Sequence, residues 1–249
     1  MDHQDSCMPI LSTITSYIQK RFAIAKEGIP IVLVLVITAV ILWCITAVTN
    51  STILFWLAVL LTIVTAGITF LFRNPHRTTP DLTDLDILSP ADGKIVGIGP
   101  ADEPQFLKRK ALRVSIFLSL LDVHVNWLPV SGVVMHKQCS DGKFLPAYTD
   151  RASDKNKRVS VGIQCDDGFC MTVVQITGFV ARRIRCYLTP GQHVKRGDRY
   201  GMICFGSRVD IFVPHETTIT VKKGDRVRGG ITVIGKKHNT HGKNKVSAA

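Results

Sequence analysis

The chain has 249 residues, 46% of them hydrophobic, and a formal charge of +12. That length admits one sizeable domain or two small ones, and the charge favours an anionic partner. Seven cysteines (Cys7, Cys44, Cys139, Cys165, Cys170, Cys186 and Cys204) form no Cys-x-x-Cys pair, which argues against a zinc site or a disulfide framework and for reduced thiols facing the cytosol.

Residues 1–27 carry three acidic and three basic side chains and read as a neutral cytoplasmic lead. Residues 28–72 carry no charge at all. Two apolar runs lie within them, Pro30–Val48 and Ile53–Phe72, divided by the polar turn Thr49-Asn50-Ser51-Thr52. Each run has about 20 residues, enough for a helix to cross a hydrocarbon core roughly 30 Å thick. The pattern predicts a two-helix transmembrane hairpin. Lys20, Arg21 and Lys26 precede it, and Arg73 and Arg77 follow it. Positive flanks at both ends place both ends in the cytoplasm, with the hairpin in the inner (cell) membrane. The whole net charge then belongs to residues 73–249, which hold 28 basic and 16 acidic side chains. Beside an apolar anchor, such a surface suits anionic lipid headgroups better than nucleic acid.

Residues 73–237 read as one catalytic domain. Pro75 and Pro80 open an extended linker. Short β-branched runs follow, cut by Gly, Pro and Asp: Lys94–Ile98, Ala111–Leu121, Val159–Gln164, Met171–Ile176, Ile184–Leu188 and Ile231–Ile234. This predicts a mostly β, barrel-sandwich-like domain with some helix, the helical pieces falling at Lys108–Arg113 and Phe144–Ala152. Val194-Lys195-Arg196-Gly197-Asp198-Arg199 is echoed by Val221-Lys222-Lys223-Gly224-Asp225-Arg226. Gly-Asp at the same place in both predicts two alike turns with positive φ at the glycine. The polar, basic tail 238–249 is expected to be disordered.

Common catalytic signatures are missing. There is no phosphate-binding Gly-Lys-Ser, no His-Glu-x-x-His and no Gly-x-Ser-x-Gly, and no histidine stands in metal-ligand spacing. Three short segments remain. Phe205-Gly206-Ser207-Arg208-Val209-Asp210-Ile211 puts a Gly-Ser bond between two apolar runs. Asp122-Val123-His124-Val125-Asn126 follows another, and Ser89-Pro90-Ala91-Asp92-Gly93 opens the domain. Singly, they are equally compatible with a turn dipeptide, a core histidine and a turn cap.

Together they resemble the phosphatidylserine decarboxylases, in particular the short bacterial and archaeal type. Phe72-Arg73-Asn74-Pro75-His76-Arg77, Gly142-Lys143-Phe144 and the run from Gly197 to Ser207 add to the likeness, which covers Phe72 to about Gly235. The resemblance implies a proenzyme in which Ser207 attacks the Gly206 carbonyl and the chain breaks there. A β chain, 1–206, and an α chain, 207–249, would form a heterodimer, with further self-association left open. Ser207 would become a covalent pyruvoyl group, the only cofactor, with no metal. That group would form a Schiff base with the serine amine of phosphatidylserine and take up the electrons released with carbon dioxide. His124 and Asp92 match the family's relay, Asp92 orienting His124. Many long-type members carry a second histidine where this chain has Trp127. Arg208, Lys222, Lys223, Arg226 and Arg228 are candidates for headgroup contacts. Three rival readings of the residues stand beside this one: an uncut membrane adaptor displaying a barrel-sandwich domain, an enzyme of another specificity acting on an ether-linked lipid or a free amino acid, and a tethered serine hydrolase using Ser207, His124 and Asp92.

Overall fold

The computed structural model describes residues 23–147, 155–179, 183–204 and 206–238. Most of the leading segment, the basic tail after His238, and part of the expected helix at Phe144–Ala152 lie outside them. The chain divides into two compact units, one ending at His76 and one beginning at Arg77.

The first unit is a helical hairpin, α1 (Ile29–Thr49) and α2 (Thr52–Leu71). With 21 and 20 residues, both are long and apolar enough to cross a membrane. Their outward side chains are apolar; Val34, Val48, Ile53 and Trp56 are 63–83% exposed. A water-soluble protein would not leave so continuous an apolar surface uncovered. The threonine hydroxyls are satisfied inside the helices: Thr46 donates to the Leu42 carbonyl and Thr65 to that of Leu61. Asn50 caps α1 in the left-handed conformation, with φ 53°. At the other end the Ala25 N–H donates to the Phe72 carbonyl at 2.7 Å, and Gly28 lets the Phe72 ring pack where a Cβ would stand. The chain therefore enters and leaves the hairpin side by side.

Among the described residues the second unit has fourteen strands. They are β1 (Asp86–Leu88), β2 (Gly93–Glu103), β3 (Arg109–Leu118), β4 (Val125–Trp127), β5 (Gly132–Ser140), β6 (Arg158–Gln164) and β7 (Cys170–Ile176), then β8 (Ile184–Cys186), β9 (His193–Val194), β10 (Arg199–Ile203), β11 (Ser207–Val213), β12 (Thr218–Ile219), β13 (Arg226–Val227) and β14 (Val233–Lys236). An eight-stranded sheet runs β13-β2-β3-β11-β7-β6-β5-β9, beside two small sheets, β1-β14-β12 and β4-β10-β8. Alternation along the large sheet puts Val114, Ile116 and Leu118 of β3, Val209 and Ile211 of β11, and Val161 and Ile163 of β6 into one buried cluster. Leu128, Leu188 and Ile203, in or next to the β4-β10-β8 sheet, close over it.

The echoed segments are structurally alike. Gly197 and Gly224 have φ of 85° and 103°. In each turn the Asp N–H donates back three residues, Asp198 to Lys195 and Asp225 to Lys222. Each turn also clamps one residue on both sides. Leu128 donates to Asp198 and accepts from Gly197; Ile95 donates to Asp225 and accepts from Gly224. The helix expected at Lys108–Arg113 is not formed. Lys108 is left-handed at φ 52° and Arg109 already begins β3. The Glu103 carboxylate collects the N–H groups of Gln105, Phe106 and Leu107 and tightens that β2–β3 turn. Residues 141–147 are also non-helical.

Candidate active site

Ser207 opens β11, the strand held between β3 and β7. Its Cα pairs with Leu118, and it shares the core face with Val209 and Ile211. It is fully buried, and among the described residues its Oγ has no hydrogen-bond partner. Gly206 before it has φ +65°, a left-handed conformation that a residue without a Cβ adopts at no steric cost. The Gly206 carbonyl packs against Gly178, just beyond β7. A Cβ on Gly178 would overlap that oxygen and stand 3.0 Å from its carbon. Two glycines thus shape this peptide bond, Gly206 by its dihedral angle and Gly178 by making room.

His124 is fully buried at the start of β4. Its carbonyl accepts the Ile203 N–H at 3.1 Å, where β10 ends and the chain turns toward Gly206. The β4–β10 pairing continues through Val125 with Met202 and Asn126 with Gly201. This pairing holds His124 at the end of β10, three residues before Gly206. Asp122 accepts the Ser119 N–H and hydroxyl at 2.8 and 2.7 Å, so it shapes the turn that delivers His124.

Asp92 stands in a different set of contacts. Arg77 donates to both carboxylate oxygens, at 2.5 and 2.8 Å, and the Gly229 N–H donates at 2.8 Å. The Arg77 guanidinium lies 4.1 Å from the Trp127 ring centroid, and Gly229 and Gly230 pack flat on that ring. Among the described residues Asp92 makes no hydrogen bond to His124; its partners are Arg77 and the Gly229 N–H. It meets β4 through Arg77 and Trp127 instead. The ion pair is largely buried, its side chains 9% and 14% exposed. Trp127, in the place of a second histidine, is a packing anchor.

Arg208 is a correction to the sequence reading. It is 1% exposed and donates through Nε to Asp210 and through a terminal nitrogen to Ser115, both at 2.6 Å. It cannot meet a headgroup on the surface. Lys222, Lys223, Arg226 and Arg228 are exposed. Nothing in the sequence marked Gly178, since a glycine just after a strand ordinarily signals only a turn.

A buried serine directly after a left-handed glycine, with a buried histidine bonded to the end of β10, is an arrangement suited to self-processing. The sequence profile of the family described as phosphatidylserine decarboxylase matches residues 64–235. A phosphatidylserine decarboxylase proenzyme of Carboxydothermus hydrogenoformans is 46% identical over 73% of this chain and 85% of its own. Those of Geobacter metallireducens and Syntrophus aciditrophicus are 42% and 40% identical, each over 85% of this chain and 95% and 96% of their own. The chain belongs to the phosphatidylserine decarboxylase family.

Proposed function

We propose that the chain cuts itself between Gly206 and Ser207, and that the mature enzyme decarboxylates phosphatidylserine to phosphatidylethanolamine. The observation that carries this reading is a buried Ser207 hydroxyl, without a hydrogen-bond partner among the described residues, directly after a left-handed Gly206. In maturation, Ser207 Oγ adds to the Gly206 carbonyl and the Gly206–Ser207 amide bond breaks, leaving an ester and a free amine. Loss of the Ser207 Cα proton expels the Gly206 carboxylate. The resulting dehydroalanine takes up water and releases ammonia, leaving pyruvoyl at position 207.

A serine hydroxyl is a weak nucleophile and needs a base. In this reading His124 does that work, and in turnover it returns a proton to the substrate carbon that loses carbon dioxide. Asp92 supports it as a positioning residue, through Arg77 and Trp127. The pyruvoyl group supplies the sink for the electrons released as carbon dioxide departs. Burial of the site excludes water from that carbon.

The two products stay together as a heterodimer of chains 1–206 and 207–249. After the cut β11 is still paired on both edges, with β3 and with β7, and β13 and β14 pair with β2 and β1. The hairpin holds the enzyme in the inner membrane with the catalytic unit on the cytoplasmic side. Lys222, Lys223, Arg226 and Arg228, all exposed, are the cations that meet anionic headgroups.

The test is release of carbon dioxide from carboxyl-labelled phosphatidylserine by the detergent-purified protein, with and without hydroxylamine. Activity lost to hydroxylamine, and absent from Ser207→Ala, supports the reading. Hydroxylamine-resistant activity, or reaction with serine-directed fluorophosphonates, favours the hydrolase.

A further inference from the structure

Two buried amides, one of them on β7, which pairs with β11, have taken no part so far. Gln175 of β7 and Asn126 of β4 are both fully buried. Gln175 Nε2 donates to Asn126 Oδ1 at 2.8 Å and also lies 3.4 Å from the Arg185 carbonyl. That second acceptor fixes which end of Gln175 is nitrogen, and so which end of Asn126 is oxygen. The outer ends, Asn126 Nδ2 and Gln175 Oε1, have no hydrogen-bond partner among the described residues. Gly201 lacks the Cβ that would block this contact; one built there would stand 2.9 Å from Gln175 Nε2.

Register relates the pair to Ser207 and His124. Gln175 faces Val209 across β7 and β11, and Ser207 is two residues back on the same face of β11. Asn126 is two residues along from His124, and its strand partner Gly201 lies two before Ile203, which bonds His124. Around these groups the core is aliphatic: Leu118, Val125, Met202, Ile203 and Val209 are buried. A donor and an acceptor left open together in such surroundings are rare in folded proteins, and each asks for a ligand.

We infer that Asn126 and Gln175 bind the amino-acid headgroup of the substrate, Asn126 Nδ2 donating to its carboxylate and Gln175 Oε1 accepting from its ammonium. This rests on the decarboxylase reading above. A neutral donor is suited to the task. It orients the carboxylate without neutralising it, and nothing cationic holds the charge back as it departs in carbon dioxide. The product keeps the ammonium but has lost the carboxylate, so Asn126 loses its partner and favours release.

The experiment compares wild type with Asn126→Asp in detergent micelles. Aspartate retains the oxygen that Gln175 bonds, removes the donor and adds negative charge. The variant should be cut at Gly206–Ser207 as wild type is. Its kcat/KM for short-chain phosphatidylserine should fall roughly 10- to 100-fold, the range for one hydrogen bond to a charged group. Inhibition by phosphatidylethanolamine should be unchanged or tighter. Asn126→Ala, neutral and smaller, carries the same expectation if the aspartate variant does not fold. A kcat/KM within twofold of wild type, or equal weakening toward substrate and product, overturns the assignment. So does a folded but uncut variant, which would make the amide part of maturation, and so does failure of both variants to fold, which would make the pair structural. A wild-type chain that is uncut and inactive removes the decarboxylase reading itself, which the variants alone would not.

Discussion

Gly178 presents a bare Cα to the carbonyl oxygen of Gly206, the oxygen that would gain negative charge as its carbon becomes tetrahedral in the proposed attack by Ser207. A Cβ at position 178 would overlap that oxygen and also stand 3.2 Å from the Ala147 Cβ. Neither neighbour has a flexible side chain to move aside. Gly178→Ala should therefore displace the Gly206 peptide and slow self-cleavage at least about tenfold, the effect of a misplacement worth ~1.4 kcal/mol. A pulse-chase of chain cleavage on denaturing gels measures it. Cleavage at the wild-type rate would show that the contact relaxes without consequence.

The Asp92–Arg77 pair is predicted to act on β4 rather than on protons. Breaking a buried pair by removing one partner costs about 3–5 kcal/mol. Asp92→Asn and Arg77→Met should each lower the melting temperature and slow cleavage, and the double variant should be less harmful than the sum. The pH dependence of turnover should keep its midpoint in variants that mature. A shifted midpoint would mean that Asp92 acts on His124 directly.

Trp127→His would test the departure from two-histidine relatives. Trp127 fills the space over Gly229 and Gly230 and stacks on Arg77. Replacing it removes aromatic packing worth on the order of 3 kcal/mol. Lower stability without faster turnover is expected. Gain of activity with intact stability would show that position 127 remains a catalytic place.

Much of this was legible in the sequence, for physical reasons. A run of 45 positions without charge, 28–72, has few structural outcomes besides a membrane hairpin. The β-branched runs fell where strands are, and the twin Gly-Asp turns share one geometry because both need a positive φ. Three features were hidden. Arg208 looked like surface charge because its partner Asp210 is two residues along a strand whose both faces are covered. Lys108–Arg113 has helix-favouring residues, but the turn before it is set by Glu103 capping three N–H groups. The hydrogen bond between the Asn126 and Gln175 side-chain amides joins strands of different sheets, which no local pattern records.

Acid should weaken the catalytic unit partly through Asp86. Burial pushes its carboxyl up, but the Thr83 hydroxyl and N–H and the nearby Lys236 outweigh that and hold it below the ordinary carboxylate value. A depressed folded pKa gives stability that is present above the unfolded value, about 3.9, and is lost as pH falls through the folded one. Asp86→Asn should be less stable than wild type at pH 7, and the gap should close below about pH 4. Thermal melts across that range read it; a constant gap would contradict the assignment.

The thiols offer a labelling check. Burial pushes Cys165 up to about 11, despite the opposing charge of Lys237. At pH 8 about one molecule in a thousand would carry its thiolate. Maleimide should label the exposed Cys139 quickly and leave Cys165 unreacted in the folded protein. Equal rates would mean that the core around Cys165 opens readily.

The most direct measurement is the intact mass of the protein purified from membranes, beside Ser207→Ala. The account predicts two fragments meeting at Gly206 and Ser207, the smaller one lighter by one ammonia than a serine-terminated segment, and an uncut variant. A single 27.5 kDa chain in preparations that decarboxylate phosphatidylserine would contradict it.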